Sequence, residues 1–513
     1  MQPPKLNLPV GRLDWFTIIL AVLCSLIGIF TLYGGSELGE DKAMKSLVWL
    51  FIGLIVMFTL AFTNYQSLGS YAFIIYAIGV ALLILVLIPF IGTKVKGARS
   101  WIRILGFGFQ PAEFMKLALV IALSKYLVLK ETEIGKFKEL IIPFVMTALP
   151  LLLIAAQPDL GYAVLILPIL FMLLFIGGAN ISVILGLAII GFSSLFIPMY
   201  LEYLNFVMVD DIIKSLQETN YKLADAVRIL NFEVWQYIAN PELAKTTKPA
   251  SNLAQWALKT ISVPENIAQF KQTVAQIEAT EPNIFRDYLR SDLAMFISIL
   301  VSAALYGLGL LGFFMTRGGW MKVTAKVCLI IALSLLASFA FRKFVNFKPH
   351  QVERIVSFAN PEKFKRGAGY QLRHSLITLG SGQLAGKGPG EGDMTRGDTP
   401  FLPEWFNDFI FSVIGEQLGF VGSVVTLLLL FGIVFRGATI AIQSKDDFGA
   451  LLASGITTTF FFHIIINTGI TMGLFPVTGV PLTFVSYGGS NMLISFVSLG
   501  ILLNINMRRH INA

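Results

Sequence analysis

Uncharged apolar runs of about 20 residues recur along this chain from one end to the other, and no other feature limits its fold so severely. A run of that length crosses the roughly 30 Å hydrocarbon core of a bilayer as an α-helix, which pairs every backbone N–H and C=O within itself. The runs that meet this requirement are Phe16 to Tyr33, Leu47 to Thr63, Tyr71 to Ile91, Phe114 to Leu129, Leu140 to Ala156, Tyr162 to Ile176 and Ile181 to Tyr200. After a long polar break come Leu293 to Met315, Val327 to Phe341, Phe409 to Phe435, Leu451 to Ile470 and Met492 to Met507. Hydrophobic residues make up 55% of the chain and charged ones only 14%, against about a quarter charged in soluble proteins. A transmembrane barrel would show segments of about 10 residues with alternating polarity, and none are seen. The expected fold class is an all-α polytopic membrane protein.

The formal net charge of +8 does not point to nucleic acid, because the Lys and Arg residues are scattered through loops that flank apolar spans. Their distribution reads as topology instead. Lys5, Arg12, the Lys125 to Glu139 connector, Arg317, Lys322, Arg436, Lys445, Arg508 and Arg509 fall on one side, so both termini are expected in the cytoplasm. Lys5 and Arg12 precede an apolar run without a small-residue cleavage pattern, which reads as a retained first span. Lys94, Lys96, Arg99 and Arg103 break the rule by lying in an outer loop, where they suit an anionic ligand if the loop is not simply atypical. Cys24 and Cys328 sit inside apolar segments and read as packing residues.

Residues 201–292 form the long polar break. Ile212, Leu216, Leu223, Val227, Leu230 and Val234 recur there at helical spacing, so a small external helical subdomain is expected, broken into about three helices around Trp235, Pro241, Pro249 and Pro264. The segment is net acidic and makes no polybasic arm. The division expected from the sequence is an N-terminal membrane half (1–200), the external insertion (201–292), two further spans (293–343), an outer loop (344–408) and a C-terminal membrane half (409–513). The outer loop is strongly basic up to Lys387 and acidic from Pro389 to Asp408. Gly380, Gly382, Gly386, Gly388, Gly390 and Gly392 punctuate it, which implies close backbone approach to something.

Chemistry on an anionic group such as a diphosphate at the membrane surface needs cations to hold it and, where a hydroxyl attacks, a carboxylate to take its proton. Arg99, Arg103 and Lys116 offer the cations, with Glu113 one helical turn from Lys116. Lys116 lies in an apolar helix, where an ionisable group is costly; the pair is either functional or a fastener between helices. Asp159, in Gln157-Pro158-Asp159-Leu160-Gly161, is either a site residue or the cap of the following helix. Asp408 enters the run Phe409 to Phe435 after Pro403-Glu404 with no basic neighbour in sequence. It is either an N-cap or a base, since partial burial at the membrane surface makes a better proton acceptor. Glu416 could pair with a cation from another span. The segment from Pro481 to Ser490 interrupts the bundle, and the amides of Gly488 and Gly489 suit an anion at a helix N-terminus. No protein metal cage is evident, which leaves a divalent ion, Mg2+ or Mn2+, bridging a diphosphate and Asp408 as the only expected cofactor.

These residues also resemble a known family. Gly479-Val480-Pro481-Leu482-Thr483-Phe484-Val485-Ser486-Tyr487-Gly488-Gly489-Ser490 is similar to the C-terminal signature of the shape, elongation, division and sporulation (SEDS) peptidoglycan glycosyltransferases. Asn407-Asp408-Phe409-Ile410-Phe411 with Gly415-Glu416-Gln417-Leu418-Gly419 resembles their outer-loop motif. Gly369-Tyr370-Gln371, Ser375, Gly380-Ser381-Gly382 and Gly386-Lys387-Gly388 follow the same order, as do Gln110-Pro111-Ala112-Glu113 with Lys116 and Gln157 to Gly161. The resemblance implies polymerisation of lipid II with Asp408 as catalytic residue and roles for Arg103, Glu113, Lys116, Asp159 and Lys387. It also implies a class B penicillin-binding protein transpeptidase and other membrane proteins of the elongation complex as partners, in a bacterial cytoplasmic membrane. Gly479-Val480-Pro481 looks more like the elongation branch, RodA, than the division branch, FtsW. Three departures stand out: Asn407 where Thr is usual, Thr483 where Pro is usual, and about twelve spans rather than about ten, which an insertion from about 201 to 343 would explain. Two rival functions stay open, a lipid II flippase and a non-catalytic scaffold; a transporter usually carries paired broken helices, and only one break, near Pro481, is evident.

Overall fold

Because a lipid-facing backbone cannot leave its polar groups unpaired, the apolar runs fold as helices. The computed structural model describes residues 13–34, 37–95, 98–104, 107–157, 160–230, 252–280, 283–316, 319–344, 354, 356–359, 361, 367–392, 402–403 and 405–509. In chain order the elements are α1 (Trp15–Tyr33), α2 (Glu37–Phe62), α3 (Tyr65–Ser70) and α4 (Ala72–Leu87), then strands β1 (Gly92–Val95), β2 (Ala98–Ile104) and β3 (Phe107–Phe109). Next come α5 (Pro111–Leu129), α6 (Phe137–Ala156), α7 (Leu160–Ile176), α8 (Ile181–Thr219), α9 (Tyr221–Leu230), α10 (Asn252–Ile261), α11 (Pro264–Thr280) and α12 (Ile284–Arg290). The chain ends with α13 (Asp292–Thr316), α14 (Gly319–Phe344), α15 (Gly367–Ser381), α16 (Ile410–Ile442), α17 (Asp447–Thr471) and α18 (Gly489–Arg508).

Among the described residues, 9 helices are long and apolar enough to cross a membrane, and Ala72–Leu87 and Val164–Ile176 are shorter apolar helices. With α5, which carries Glu113, Lys116 and Lys125, they coincide with the runs read from the sequence. The protein is an all-α polytopic membrane protein. Its contacts divide it into two units, Met1–Ile184 with Pro361–Ala513, and Leu185–Asn360.

In the first unit α5, α17 and α18 form the centre. Met115, Ala118, Leu119, Ala122 and Leu123 of α5 are fully buried, as are Leu452, Ala453 and Ile470 of α17 and Phe496, Leu499 and Leu502 of α18. These inner helices also carry the buried polar groups, including Glu113, Lys116, His463, Asn467 and Asn491. The outer helices present apolar side chains such as Phe51, Phe73, Val145 and Leu428 outward, as a lipid-facing surface requires. Pro111 at the start of α5 costs no helical hydrogen bond, and Glu113 in the first turn sits favourably at the positive end of the helix dipole. Asp14 caps α1 by accepting from the Thr17 amide at 3.3 Å and pairs with Arg436 of α16 at 2.6 Å.

Four features differ from the sequence expectation. The basic segment from Gly92 to Phe109, expected as a loop, is a three-stranded antiparallel sheet in the order β1-β2-β3, with Thr93 opposite Trp101 and Arg103 opposite Gly108. Alternation in β2 turns Ser100 and Ile102 inward, with Arg99, Trp101 and Arg103 on the other face. The segment 344–408, expected as a loop, contains a helix, α15. The run from Phe409 to Phe435 is one long element to Ile442, with non-helical backbone at Gly419. Finally, α8 runs past Tyr200 to Thr219, with Pro198 inside it.

The second unit contains the helical segment expected at 201–292. Val209, Ile212 and Leu216 of α8, Leu223, Ala226 and Val227 of α9, Ala257 and Ile261 of α10 and Phe270 of α11 close a buried core. Residues at i, i+3 and i+4 place these side chains on one face of each helix, and each fully buried large side chain contributes about 1.5–3 kcal/mol. Pro264 starts α11. Val234, Trp235, Pro241 and Pro249 lie outside the described residues. α13 and α14 pack together, with Asp292 paired to both Arg342 and Lys343.

Candidate functional site

α5 brings Glu113 and Lys116 to the inside of the first unit, one turn apart. Their side chains, 2% and 3% exposed, form an ion pair of 3.0 Å. Tyr162 of α7 donates its hydroxyl to Glu113 Oε1 at 2.7 Å, and the Gln110 side-chain amide lies 3.0 Å from the same hydroxyl. His463 of α17 meets Lys116 Nζ through Nε2 at 2.5 Å, and its Nδ1 meets the Pro481 carbonyl at 3.0 Å. A carbonyl only accepts, so Nδ1 carries the proton and Nε2 accepts from the ammonium. Glu113, Lys116 and His463 line a small cleft together with Thr459, Thr483, Asn491 and Ser498. Its free volume of about 20 Å³ holds no more than one or two waters.

Asp408 lies in the turn just before α16 and is half-buried. It is not the N-cap of that helix: Phe409 is, without a side-chain capping bond. Its place is set by the interrupted segment before α18. Asn467 of α17 donates Nδ2 to the Asp408 carbonyl at 3.0 Å and to the Val480 carbonyl at 2.7 Å. Ser486 accepts from the Leu482 amide at 2.8 Å and donates to the Asn407 carbonyl at 2.6 Å, and the Tyr487 amide donates to Phe406 at 2.9 Å. Gly479 adopts φ 80°, and a Cβ added there would stand 3.5 Å from Asp408 Oδ2. The signature segment therefore runs directly against the aspartate.

Gly382 and Gly386, in the loop after α15, approach another part of the chain. At the break in α16 the Gly419 backbone leaves carbonyls and amides without helical partners. The loop supplies them: Lys387 N–H donates to Glu416 O at 2.9 Å, Gly388 N–H to Gln417 O at 3.0 Å, and Phe420 N–H to Gln383 O at 2.8 Å. A Cβ at Gly382 or Gly386 would collide with the carbonyl of Gly415 or Gln417. Lys387 also reaches Glu416 Oε1 at 3.2 Å, so the cation paired with Glu416 comes from the loop rather than from another span. Among the described residues the chain thus has an interruption at Gly419 besides the one near Pro481, and its freed backbone groups are paired within the protein.

Arg103 is exposed on the sheet, whereas Arg99 is half-buried and donates Nη1 to the Leu87 carbonyl at 3.2 Å, fastening the sheet to α4. Gly488 is the N-cap of α18, and the ring of Trp49 fills the space beside Gly489. Ser490 ties this turn to the sheet and α5, accepting from Gln110 N–H at 3.1 Å and donating to Gly108 O at 3.0 Å. Asp159 and Glu404 lie outside the described residues. The structure thus joins Glu113 with Lys116, Lys387 with Glu416, and Asp408 with the Gly479 to Ser486 segment. Sequence reading missed Tyr162, His463 and Asn467. The signal was there for two of them, since a His and an Asn four residues apart in an apolar span share one helix face and are costly in lipid.

Fold and site together define a polytopic helical membrane protein whose buried ion pair is linked, through His463, the 480–481 backbone and Asn467, to a half-buried aspartate. A family model described as cell cycle protein, FtsW/RodA/SpoVE, matches residues 11–228 and 272–511, and the chain belongs to that family. The match takes in α8, α13 and α14, so less of the chain is foreign to the family than the stretch 201–343 expected from the motifs. The peptidoglycan glycosyltransferase RodA of Treponema pallidum is 27% identical over 505 residues, covering 98% of this chain and 99% of that protein. Stage V sporulation protein E of Bacillus subtilis is 25% identical over 504 residues, 96% of each. The peptidoglycan glycosyltransferase MrdB of Escherichia coli is 35% identical over 212 residues, 41% of this chain and 54% of its own. Among solved structures, a chain of a peptidoglycan synthase complex aligns with a TM-score of 0.58 at 22% identity, covering 98% of this chain and 99% of that one. The Thermus thermophilus rod shape determining protein RodA aligns at 0.51 and 20%, covering 99% of each. At these identities the structures show a shared fold.

Proposed function

We propose that this peptidoglycan glycosyltransferase polymerises lipid II into glycan strands for cell elongation, with Asp408 as the base. The observation that carries the reading is the fixed position of Asp408, whose carbonyl is held by Asn467 and whose carboxylate borders Gly479. In the transfer, an acceptor sugar hydroxyl attacks the anomeric carbon of the donor, Asp408 takes the hydroxyl proton, and the lipid diphosphate leaves with the bonding pair, giving inversion. Arg103 and Lys116, with Lys387 and the Gly488-Gly489 amides, would stabilise the diphosphate, and Arg99, Glu113, Asp159, Glu404 and Ser486 would support its binding.

A divalent ion fits only if the substrate brings most of its ligands. Among the described residues no group of three His, Cys, Asp or Glu side chains could hold one, while a single carboxylate plus phosphate oxygens suits Mg2+ or Mn2+. Such an ion would neutralise charge on the diphosphate. The elongation role is favoured by Gly479-Val480-Pro481. The same fold and site are compatible with an FtsW-like division polymerase, and complementation of rod-shape and division mutants separates the two.

In this reading the termini are cytoplasmic, the Asp408 loop faces outward, and a class B penicillin-binding protein transpeptidase is the partner. The second helix break favours one further reading, a lipid II flippase. The deciding experiment supplies purified protein in detergent with lipid II, where transport has no meaning. Wild type should make glycan polymer and Asp408→Asn none, with lipid II binding retained; polymer from Asp408→Asn within a few fold of wild type overturns the assignment.

A further inference from the structure

Two side chains on one face of α17 grip consecutive carbonyls of the interrupted segment. His463 Nδ1–H donates to Pro481 O at 3.0 Å and Asn467 Nδ2–H to Val480 O at 2.7 Å, four residues and one helical turn apart. Asn467 also holds the Asp408 carbonyl, at 3.0 Å. On its other side the His463 ring accepts from Lys116, which is paired with Glu113. His463 and Asn467 are 2% and 0% exposed, so water does not substitute readily for these bonds. A continuous set of hydrogen bonds therefore runs from the Glu113–Lys116 pair through the His463 ring to the 480–481 backbone, and from there through Asn467 to Asp408. Gly479, the residue before that backbone, borders the Asp408 carboxylate.

We infer that His463 is a positioning residue, which ties the placement of Asp408 to the state of the Glu113–Lys116 pair through residues 479–481. The inference rests on the proposed lipid II polymerase reading. The neutral ring has two jobs that cannot be exchanged: Nε2 offers a lone pair to the ammonium, and Nδ1–H holds Pro481. When a diphosphate draws on the Lys116 charge, the ammonium–imidazole bond is the link that changes, and the ring passes the change to the backbone beside Asp408. A packing role would need only a side chain of similar volume.

Two substitutions separate the links. His463→Asn keeps an amide N–H near the Nδ1 position and removes the acceptor for Lys116; His463→Gln keeps a polar group near Nε2 and removes the bond to Pro481. Each should lower kcat for lipid II polymerisation about tenfold with KM within about twofold. Lipid II binding, measured separately, should stay at the wild-type level and reports that the protein is folded. Adding His463→Asn to Lys116→Met should cost no more than Lys116→Met alone, because both break one link. Wild-type kcat in both variants overturns the inference. So does a loss confined to KM, additivity with Lys116→Met, or failure of both variants to bind lipid II, which would make His463 a residue of the fold. The two layers fail differently. A wild type without polymer, or an active Asp408→Asn, removes the functional reading, while active wild type, dead Asp408→Asn and normal His463 variants remove only the positioning role.

Discussion

Replacing Lys116 by Met tests whether the buried pair is a fastener or part of the site. Lys116 and Glu113 are almost wholly removed from solvent, and Lys116→Met has nearly the same length and shape as the lysine stem. The change strands the Glu113 carboxylate with the Tyr162 hydroxyl at 2.7 Å but without its cation. Removing one member of a buried pair costs about 3–5 kcal/mol, because the remaining charge has lost its compensation. Adding Glu113→Gln removes that stranded charge, so the double variant should recover about 1–3 kcal/mol relative to the sum of the single changes. Denaturant unfolding in detergent gives the stabilities, and gel analysis of glycan polymer gives the activity. If Lys116 acts on the diphosphate, the double variant regains stability but not polymerisation; if the pair only fastens helices, both return together. A single Lys116→Met variant destabilised by less than about 1 kcal/mol would refute the charge argument itself.

Arg103 is an exposed cation of the sheet, so Arg103→Ala should raise KM for lipid II about tenfold or more, with Arg103→Lys partly restoring it; unchanged steady-state kinetics in the alanine variant would remove it from the site. Gly386→Ala places a side chain at φ 82° against the Gln417 carbonyl and should cost at least about 2 kcal/mol, read as a lowered unfolding midpoint. Phe270→Ala empties the centre of the second unit's helical core and should cost about 3–5 kcal/mol locally, opening residues 252–280 to protease while detergent-phase polymerisation persists. A tag beside Lys248 should be reached from outside the cell, and labelling only from the cytoplasm would reverse the proposed topology.

Apolar run length and charge placement were sufficient for the helical membrane class, because lipid demands internal pairing of every backbone group and charged loops stay in water. The same reasoning located Glu113 beside Lys116, since i, i+3 spacing on a helix is a local matter. Motif order identified the family through Asn407 to Phe411 and Gly479 to Ser490. The sheet at 92–109 was hidden by its shortness: strands of 3 to 7 residues next to apolar spans leave little periodicity to read.

Only the tertiary structure decided what the separated polar residues do. The loop glycines at 382 and 386 implied a close backbone approach, and only the fold shows that it is made to the broken backbone of α16, a partner some thirty positions along the chain. His463 and Asn467 carried no motif, and their meaning comes from lying against the carbonyls of Val480 and Pro481. Ser486 stands in the signature motif, and only the structure shows it holding the Asn407 carbonyl and the Leu482 amide. Sequence determines which stretches must be buried or paired, since that is set by each residue's own cost of leaving water. Which buried donor meets which acceptor depends on how the helices pack, and one helix, α17, joins the ion pair to the aspartate across a gap that no local pattern encodes.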